Sequence, residues 1–266
     1  MAMIKGLEWT FDTVASGYDK MRPGYVKELY QEIFDYIPIG EESSVIEVGS
    51  GSGQATEPIL STGCELTSVE YGEKFAGLLK EKFEKYPKFS VVTGKFEDVP
   101  LEENKYDLIF SATAFHWVPE ELGYPKVFRL LKEGGAFARF ANRPNRDLKN
   151  TALSDEIDKL YEEYYCRFHN RKQQKQTEFL EEQAKEIAMI PEKYGFSDIK
   201  YSLFRRERVF SATEYTALLG TYSDHIAIEE KMRREFFDKI EEAINSYGGK
   251  ITIYDTIDLE LARKVV

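Results

Sequence analysis

The stretch SSVIEVGSGSGQATEPIL, residues 43–60, limits the possible fold more than any other part of the chain. Val45, Ile46 and Val48 form an apolar run of strand length. One acid, Glu47, interrupts it, and Gly49, Gly51 and Gly53 follow at once, alternating with serines. Glycine adopts positive φ without a Cβ penalty and lets the backbone approach another group closely. A strand that runs into such a loop belongs at the carboxyl edge of an open α/β sheet, where these folds bind ligands. A short helix is expected over 54–62. Unpaired N–H groups at its start would suit an anion.

The surrounding pattern agrees with an α/β sheet. Val26, Leu29, Tyr30, Ile33 and Ile37 fall at helical spacing up to Pro38. Further strands are expected over 66–69, 89–92, 106–110 and 136–141. A helix over 75–86 stops at Pro87, and one over 122–131 is closed by Gly134 and Gly135. Strands separated by single helices imply right-handed crossovers and a parallel sheet covered on both faces.

The rhythm changes at NRPNRD, 142–147. Leu153, Ile157, Leu160, Tyr161, Tyr164, Tyr165 and Phe168 make one apolar helical face. Leu180, Ala184, Ile187 and Ala188 make another, with no strand between them. Strands return over 197–204 and 206–210. Helices over 213–220 and 226–246 follow, the latter closed by Gly248 and Gly249, and β structure completes the chain. The expected division is a core of 1–141 and 196–266, with 1–23 as an arm, and a helical insertion over 142–195 that caps the site.

Formal charge is -11 and the pI about 5.0, so nucleic acid is a poor partner. No apolar run approaches the ~20 residues of a membrane span. The start, MAMIKGLEWTFDT, lacks an apolar signal region. Cys64 and Cys166 have no metal-ligand spacing and are expected as free thiols. These features predict a cytoplasmic protein with no metal; a monomer or homodimer is expected.

The glycine spacing departs from the dinucleotide pattern G-x-G-x-x-G, because Gln54 stands where the third glycine is required. The G-K-[ST] of a phosphate loop is absent. E-V-G-S-G-S-G instead resembles motif I of the class I S-adenosylmethionine (SAM)-dependent methyltransferases. The resemblance implies a Rossmann-like doubly wound, seven-stranded, mostly parallel sheet. It implies SAM as cofactor and S-adenosylhomocysteine as product. It places Glu47 near the methionyl amine, beside the loop of Gly49, Gly51, Gly53 and Gln54; the alternative is an acid bonded to the loop's own N–H groups. Strand two ends in Val69-Glu70-Tyr71, where an acid can accept both ribose hydroxyls. TGKFEDVP, 93–100, resembles the family's G-D-A-E-D-L-P segment around the adenine. Lys95 replaces the usual acid there, which leaves Phe96 and Glu97 for that contact.

SATAFHWVP, 111–119, resembles the A-x-H-W segment of a small-molecule subgroup that includes trans-aconitate-type methyltransferases. It implies Ser111 and Ala112 beside the cofactor and His116 and Trp117 beside the substrate. FDTVASGYDKMRPGY, 11–25, resembles that subgroup's Y-D-x-x-R-P entry and implies Tyr18 and Arg22 near the cofactor. The resemblance covers 11–141, weakens through the insertion and returns loosely over 210–223.

Methyl transfer from a sulfonium is an in-line displacement, in which orientation alone supplies roughly 7–11 kcal/mol. A base is needed only for an acceptor that holds its proton, and a carboxylate needs none. His116 is the candidate base, with a structural role as its rival. Arg143 and Arg146 are candidates to hold an anionic substrate. Tyr164 is a candidate for the substrate wall, although its stripe reads first as core. His169 and His225 read as surface residues, with reach into the pocket as the alternative for His225 in TYSDH. The expected activity is methyl transfer to a small molecule, as O-methylation of a carboxylic acid. The alternatives are a non-catalytic SAM-binding module, methylation of RNA or protein, and a nicotinamide oxidoreductase.

Overall fold

A computed structural model describes Arg22 and residues 24–146, 150–173 and 177–265. Tyr18 lies outside the described residues. The chain order is α1 (Lys27–Tyr36), β1 (Ser44–Val48), α2 (Thr56–Leu60), β2 (Glu65–Glu70), α3 (Glu73–Lys82), β3 (Phe89–Thr93) and β4 (Tyr106–Ala112). It continues through α4 (Glu120–Leu130), β5 (Leu131–Arg146), α5 (Thr151–Leu160), α6 (Glu181–Ala188) and β6 (Phe196–Ser211). It closes with α7 (Ala212–Leu219), α8 (Ser223–Ile226), α9 (Glu230–Ser246) and β7 (Lys250–Lys264).

The seven strands form one sheet in the order β3-β2-β1-β4-β5-β7-β6. β1 pairs in parallel with β2 and β4, β2 with β3, and β4 with β5. The order reverses direction at β1 and β4, so the loops after those two strands flank a switch point, the usual ligand crevice of such sheets. The chain groups into two units. One holds residues 24–143, 179–204 and 257–265; the other holds Arg22 with 144–178 and 205–256, and the boundaries after 143, 204 and 256 fall inside β5, β6 and β7. The sequence division at 142 and 195 groups the chain differently: 179–195 goes with the sheet, and 205–256 goes with the helices after β5.

In the sheet unit, Leu29 and Ile33 of α1, Ile59 of α2 and Leu79 of α3 pack with Val45, Leu66, Leu108 and Phe140 on one face. Ile46, Val69, Ile109 and Phe137 pack on the other with Val127 and Leu130 of α4. Burial on both faces explains why β1 and β4 read as continuous apolar runs. In the helical unit, α5 continues into a π-turn over Tyr161–Cys166. The wider turn turns Tyr161, Tyr164 and Tyr165 into one core with Phe236, Ile240 and Ile244 of α9. The tyrosine stripe is therefore core, while Phe168 is exposed.

Three expected boundaries shift. α4 passes directly into β5 at Leu131, so Gly134, at φ 77°, lies inside the strand and caps no helix. The strands expected over 197–204 and 206–210 are one, β6. The helix expected over 226–246 breaks into α8 and α9, because Glu229 caps α9 by accepting from the N–H groups of Lys231 and Met232, both at 3.1 Å. Among the described residues no helix is long and apolar enough to cross a membrane.

Candidate active site

The glycine loop is tied down by backbone and carboxylate. Gly49 N–H donates to the Val69 carbonyl at 2.8 Å and Gly53 N–H to the Ser50 carbonyl at 2.8 Å. Gly49, Gly51 and Gly53 take φ of 73°, 55° and 82°. A Cβ on Gly49 would stand 2.5 Å from Ala114 Cβ, so the loop and the end of β4 approach as closely as backbone allows. Gln54 donates to Ser52 Oγ. Ser111 Oγ donates to the Val48 carbonyl at 2.8 Å, and Ala112 is the last residue of β4.

The two acids divide. Glu70 Oε2 accepts from Gly51 N–H at 2.8 Å and its Oε1 from Gly72 N–H at 2.9 Å. The acid bonded to loop amides is thus Glu70. Glu47 is fully buried: its Oε2 accepts from Thr56 Oγ1 at 2.6 Å, and its Oε1 meets no hydrogen-bond partner among the described residues. Burial raises its pKa to about 7, against the hydrogen bonds from Thr56 and Ser50 and with a further push from the charge of Glu70. Tyr30 Oη, from α1, is also buried with no hydrogen-bond partner among the described residues, and its pKa is raised by burial and by the charges of Tyr25 and Glu47. An unclaimed carboxylate oxygen fits a ligand ammonium.

Tyr71 is half-exposed beyond β2, with Lys95 Nζ 5.7 Å from its ring centroid. Phe96 is buried in the core beside Phe115, so its ring packs inward. Glu97 is partly exposed. Lys126, buried on α4, donates to the carbonyls of Phe96, Glu97 and Val99 and fixes the shape of this loop.

Beyond β4, Thr113 has φ 54° and its Oγ1 meets Tyr25 Oη at 2.7 Å. His116 and Trp117 lie in a 3₁₀ turn, with ring centroids 5.4 Å apart. His116 keeps ring surface open to solvent while protein packs around the rest. That packing, with the cations Arg139 and Arg143, lowers its pKa to about 4, and Asp258 opposes them. His116 is therefore neutral at pH 7. The Arg143 fork is committed to Asp258, Nε to Oδ1 and Nη2 to Oδ2, both at 3.0 Å. Arg139 Nη1 donates to Tyr124 Oη at 3.2 Å.

The remaining candidates lie in the helical unit. Arg22 donates to Thr221 Oγ1 and to the Thr221 carbonyl, each at 3.0 Å, and covers the Tyr222 ring. Arg146 pairs with Asp158. Tyr164 packs its ring in the core and donates from its hydroxyl to the exposed Glu235 at 3.0 Å. His225 is buried, contrary to the surface expectation. Its Nδ1 meets Asp224 Oδ1 at 2.8 Å and its Nε2 meets Tyr161 Oη at 2.9 Å.

The sheet unit thus gathers Glu47, the three glycines, Gln54, Glu70, Ser111, His116 and Arg143 around the carboxyl edge. Sequence reasoning missed Tyr30, Thr56, Lys126, Arg139, Asp258 and Glu260. Of these only Thr56 had a local signal, as a hydroxyl two residues past the loop.

Strand order, glycine loop and strand-end acids together define a nucleotide-type ligand site on a doubly wound sheet. The methyltransferase-domain family model matches residues 46–138. An uncharacterised methyltransferase of Schizosaccharomyces pombe is 28% identical over 226 residues, 84% of this chain and 82% of that protein. One of Geobacillus sp. is 30% identical over 146 residues, 52% of this chain and 67% of that protein. A malonyl-[acyl-carrier protein] O-methyltransferase of Marinomonas sp. is 24% identical over 129 residues, 47% of each chain. The solved structure of a type II methyltransferase from Anaeromyxobacter dehalogenans superposes with TM-score 0.64 at 18% identity, covering 92% of this chain and 98% of that one. The chain belongs to the class I SAM-dependent methyltransferases, and its cofactor is SAM.

Proposed function

We propose that this chain transfers the methyl group of SAM to a carboxylate oxygen of a small molecule. One observation carries the donor side: a fully buried carboxylate, Glu47, keeps one oxygen unclaimed directly behind a glycine loop that Glu70 already holds. Glu47 would receive the amino-acid ammonium and Glu70 the ribose hydroxyls. Gly49, Gly51, Gly53 and Gln54 would shape the loop, and Tyr71, the 96–97 backbone, Ser111 and Ala112 would line the base and its neighbours. Bound SAM supplies a methyl group already activated on sulfur. The protein's part is to align the acceptor and exclude water.

His116, Trp117, Arg139 and Arg143 supply the acceptor side in this reading. The Arg139 guanidinium on β5, beside the matched Arg143–Asp258 pair, favours an anion, and a carboxylate acceptor has no proton to lose at neutral pH. Neutral His116 would then orient the acceptor. Tyr164, with its hydroxyl on Glu235, receives no role. The Marinomonas relative, whose name records O-methylation, lends support to the acid. The net charge of -11 supports a small molecule over nucleic acid. The two buried free thiols, Cys64 and Cys166, suit a reducing, cytoplasmic setting.

The test is calorimetric titration with SAM, S-adenosylhomocysteine and NAD, on wild type and Glu70→Ala, followed by labelled methyl transfer to panels of carboxylic acids, amines and phenols. Binding of both SAM-type ligands, weakened at least about tenfold in the variant, and transfer to acids are expected. Transfer to amines or phenols alone would refute the acceptor assignment. Binding with no transfer to any panel would favour a non-catalytic SAM module.

A further inference from the structure

β5 and β7 are neighbours in the sheet. Alternation puts Arg139 and Arg143 on one face of β5 and Asp258 and Glu260 on one face of β7. Asp258 is fully buried and spends both oxygens on Arg143. Glu260 is 3% exposed, and neither of its oxygens meets a hydrogen-bond donor among the described residues. It stands against Asp258. Two ionised carboxylates cannot share so enclosed a place, whereas a carboxylate and a carboxylic acid can, with the acid's proton between them. Burial first, and then the charge of Asp258, push the Glu260 carboxyl well above the usual range, against the pull of Arg139 and Arg143.

The charges can then be counted. Arg143 is matched by Asp258. Three further titratable groups face the cluster: Tyr25 Oη, which meets Thr113 Oγ1, and Tyr124 and His116, both neutral at pH 7, since burial raises the Tyr124 hydroxyl and His116 is lowered to about 4. Arg139 spends one N–H on Tyr124 and has no ion pair among the described residues. Its charge stands uncompensated only while Glu260 holds a proton.

We propose that Glu260 sets the charge of the acceptor subsite: by keeping its proton beside Asp258, it leaves Arg139 as the cation that holds an anionic methyl acceptor. The inference rests on the carboxylate reading above. Glu260 acts through Arg139 and is a positioning residue. Its ionisation would pair Arg139 internally and release the anion, so acceptor binding should weaken on the alkaline side while SAM binding does not.

Two measurements test this on the full chain. The first is the infrared difference spectrum of wild type minus Glu260→Gln at neutral pH, which needs no acceptor. A protonated-carboxyl carbonyl band in that difference is expected, since the Glu47 signal common to both proteins cancels; its absence from the difference overturns the inference. The second uses methyl transfer to glutarate, phenylacetate and citrate as probes, with KM followed against pH at saturating SAM. For an accepted acid, the wild-type KM should rise about tenfold per pH unit above the Glu260 titration. Glu260→Gln, fixed in the neutral form, should hold the low-pH KM throughout, with calorimetric SAM binding unchanged to show that it is folded. Equal alkaline rises in both proteins overturn the inference and leave the acid reading standing. Transfer confined to amines or phenols, with the infrared band present, overturns the acid reading and with it the anchoring role of Arg139.

Discussion

Replacing Glu47 by Gln should stabilise the unliganded protein and weaken its hold on SAM. Burial lifts the folded-state pKa of Glu47 from 4.5 to about 7. A raised carboxyl pKa means that the folded state holds the proton more tightly than the unfolded state does. Its stability contribution is full below about pH 4.5 and is lost as pH rises towards 7. A difference of about 2.5 units corresponds to about 3 kcal/mol, which for a chain of this size is roughly 5–10 °C in Tm. Gln keeps the shape and can still accept from Thr56 while carrying no charge. The variant's Tm advantage should therefore be small near pH 5 and grow to its full value by about pH 8. Calorimetry with SAM should move the other way, with affinity falling roughly 10–100-fold as a charge-assisted contact is lost. Scanning calorimetry across pH, paired with SAM titration, checks both. Identical pH dependence in the two proteins, or unaltered SAM affinity, would refute the reasoning.

Arg143→Met should destabilise by roughly 3–5 kcal/mol, because it leaves Asp258 charged and fully buried, and adding Asp258→Asn should recover most of that loss in denaturant titrations. Gly49→Ala meets both positive φ and an Ala114 contact of 2.5 Å, so it should abolish SAM binding in calorimetry while lowering stability by roughly 1–3 kcal/mol. His116 has a lowered folded-state pKa of about 4, so protonation favours the unfolded state and stability falls as pH drops below about 6.5. His116→Gln should flatten that part of the acid limb in a Tm-against-pH series, and a persistent slope would remove His116 as its source.

Most of the sheet was legible because β1, β2 and β4 are buried on both faces, which leaves apolar runs between glycines and prolines. The glycine loop of the candidate site was legible for a related reason: Glu47, Gly49, Gly51 and Gly53 are adjacent in the chain. The acceptor half was not. Arg139 and Glu260 lie on strands far apart in sequence, and IDLEL reads alone as a strand with one solvated face. Matching alternation in AFARFANR, with cations where IDLEL has acids, was the available signal. Lys126 was hidden differently. An ammonium on an amphipathic helix suggests solvent, and only the carbonyls of 96, 97 and 99 explain why it is buried. The break before α9 was likewise invisible, since Glu229 is one acid among many until its carboxylate turns back on the helix.

Glu70 gives one oxygen to Gly51 N–H and the other to Gly72 N–H. The cradle is therefore assembled before any ligand arrives, and association need not order it first. On the proposed reading the cradle grips an amine and a ribose, which the methyl donor and its demethylated product share. Such a cradle barely distinguishes fresh donor from spent donor. The ratio of the two in the surrounding medium, more than the amount of either, then sets how fast the protein can work.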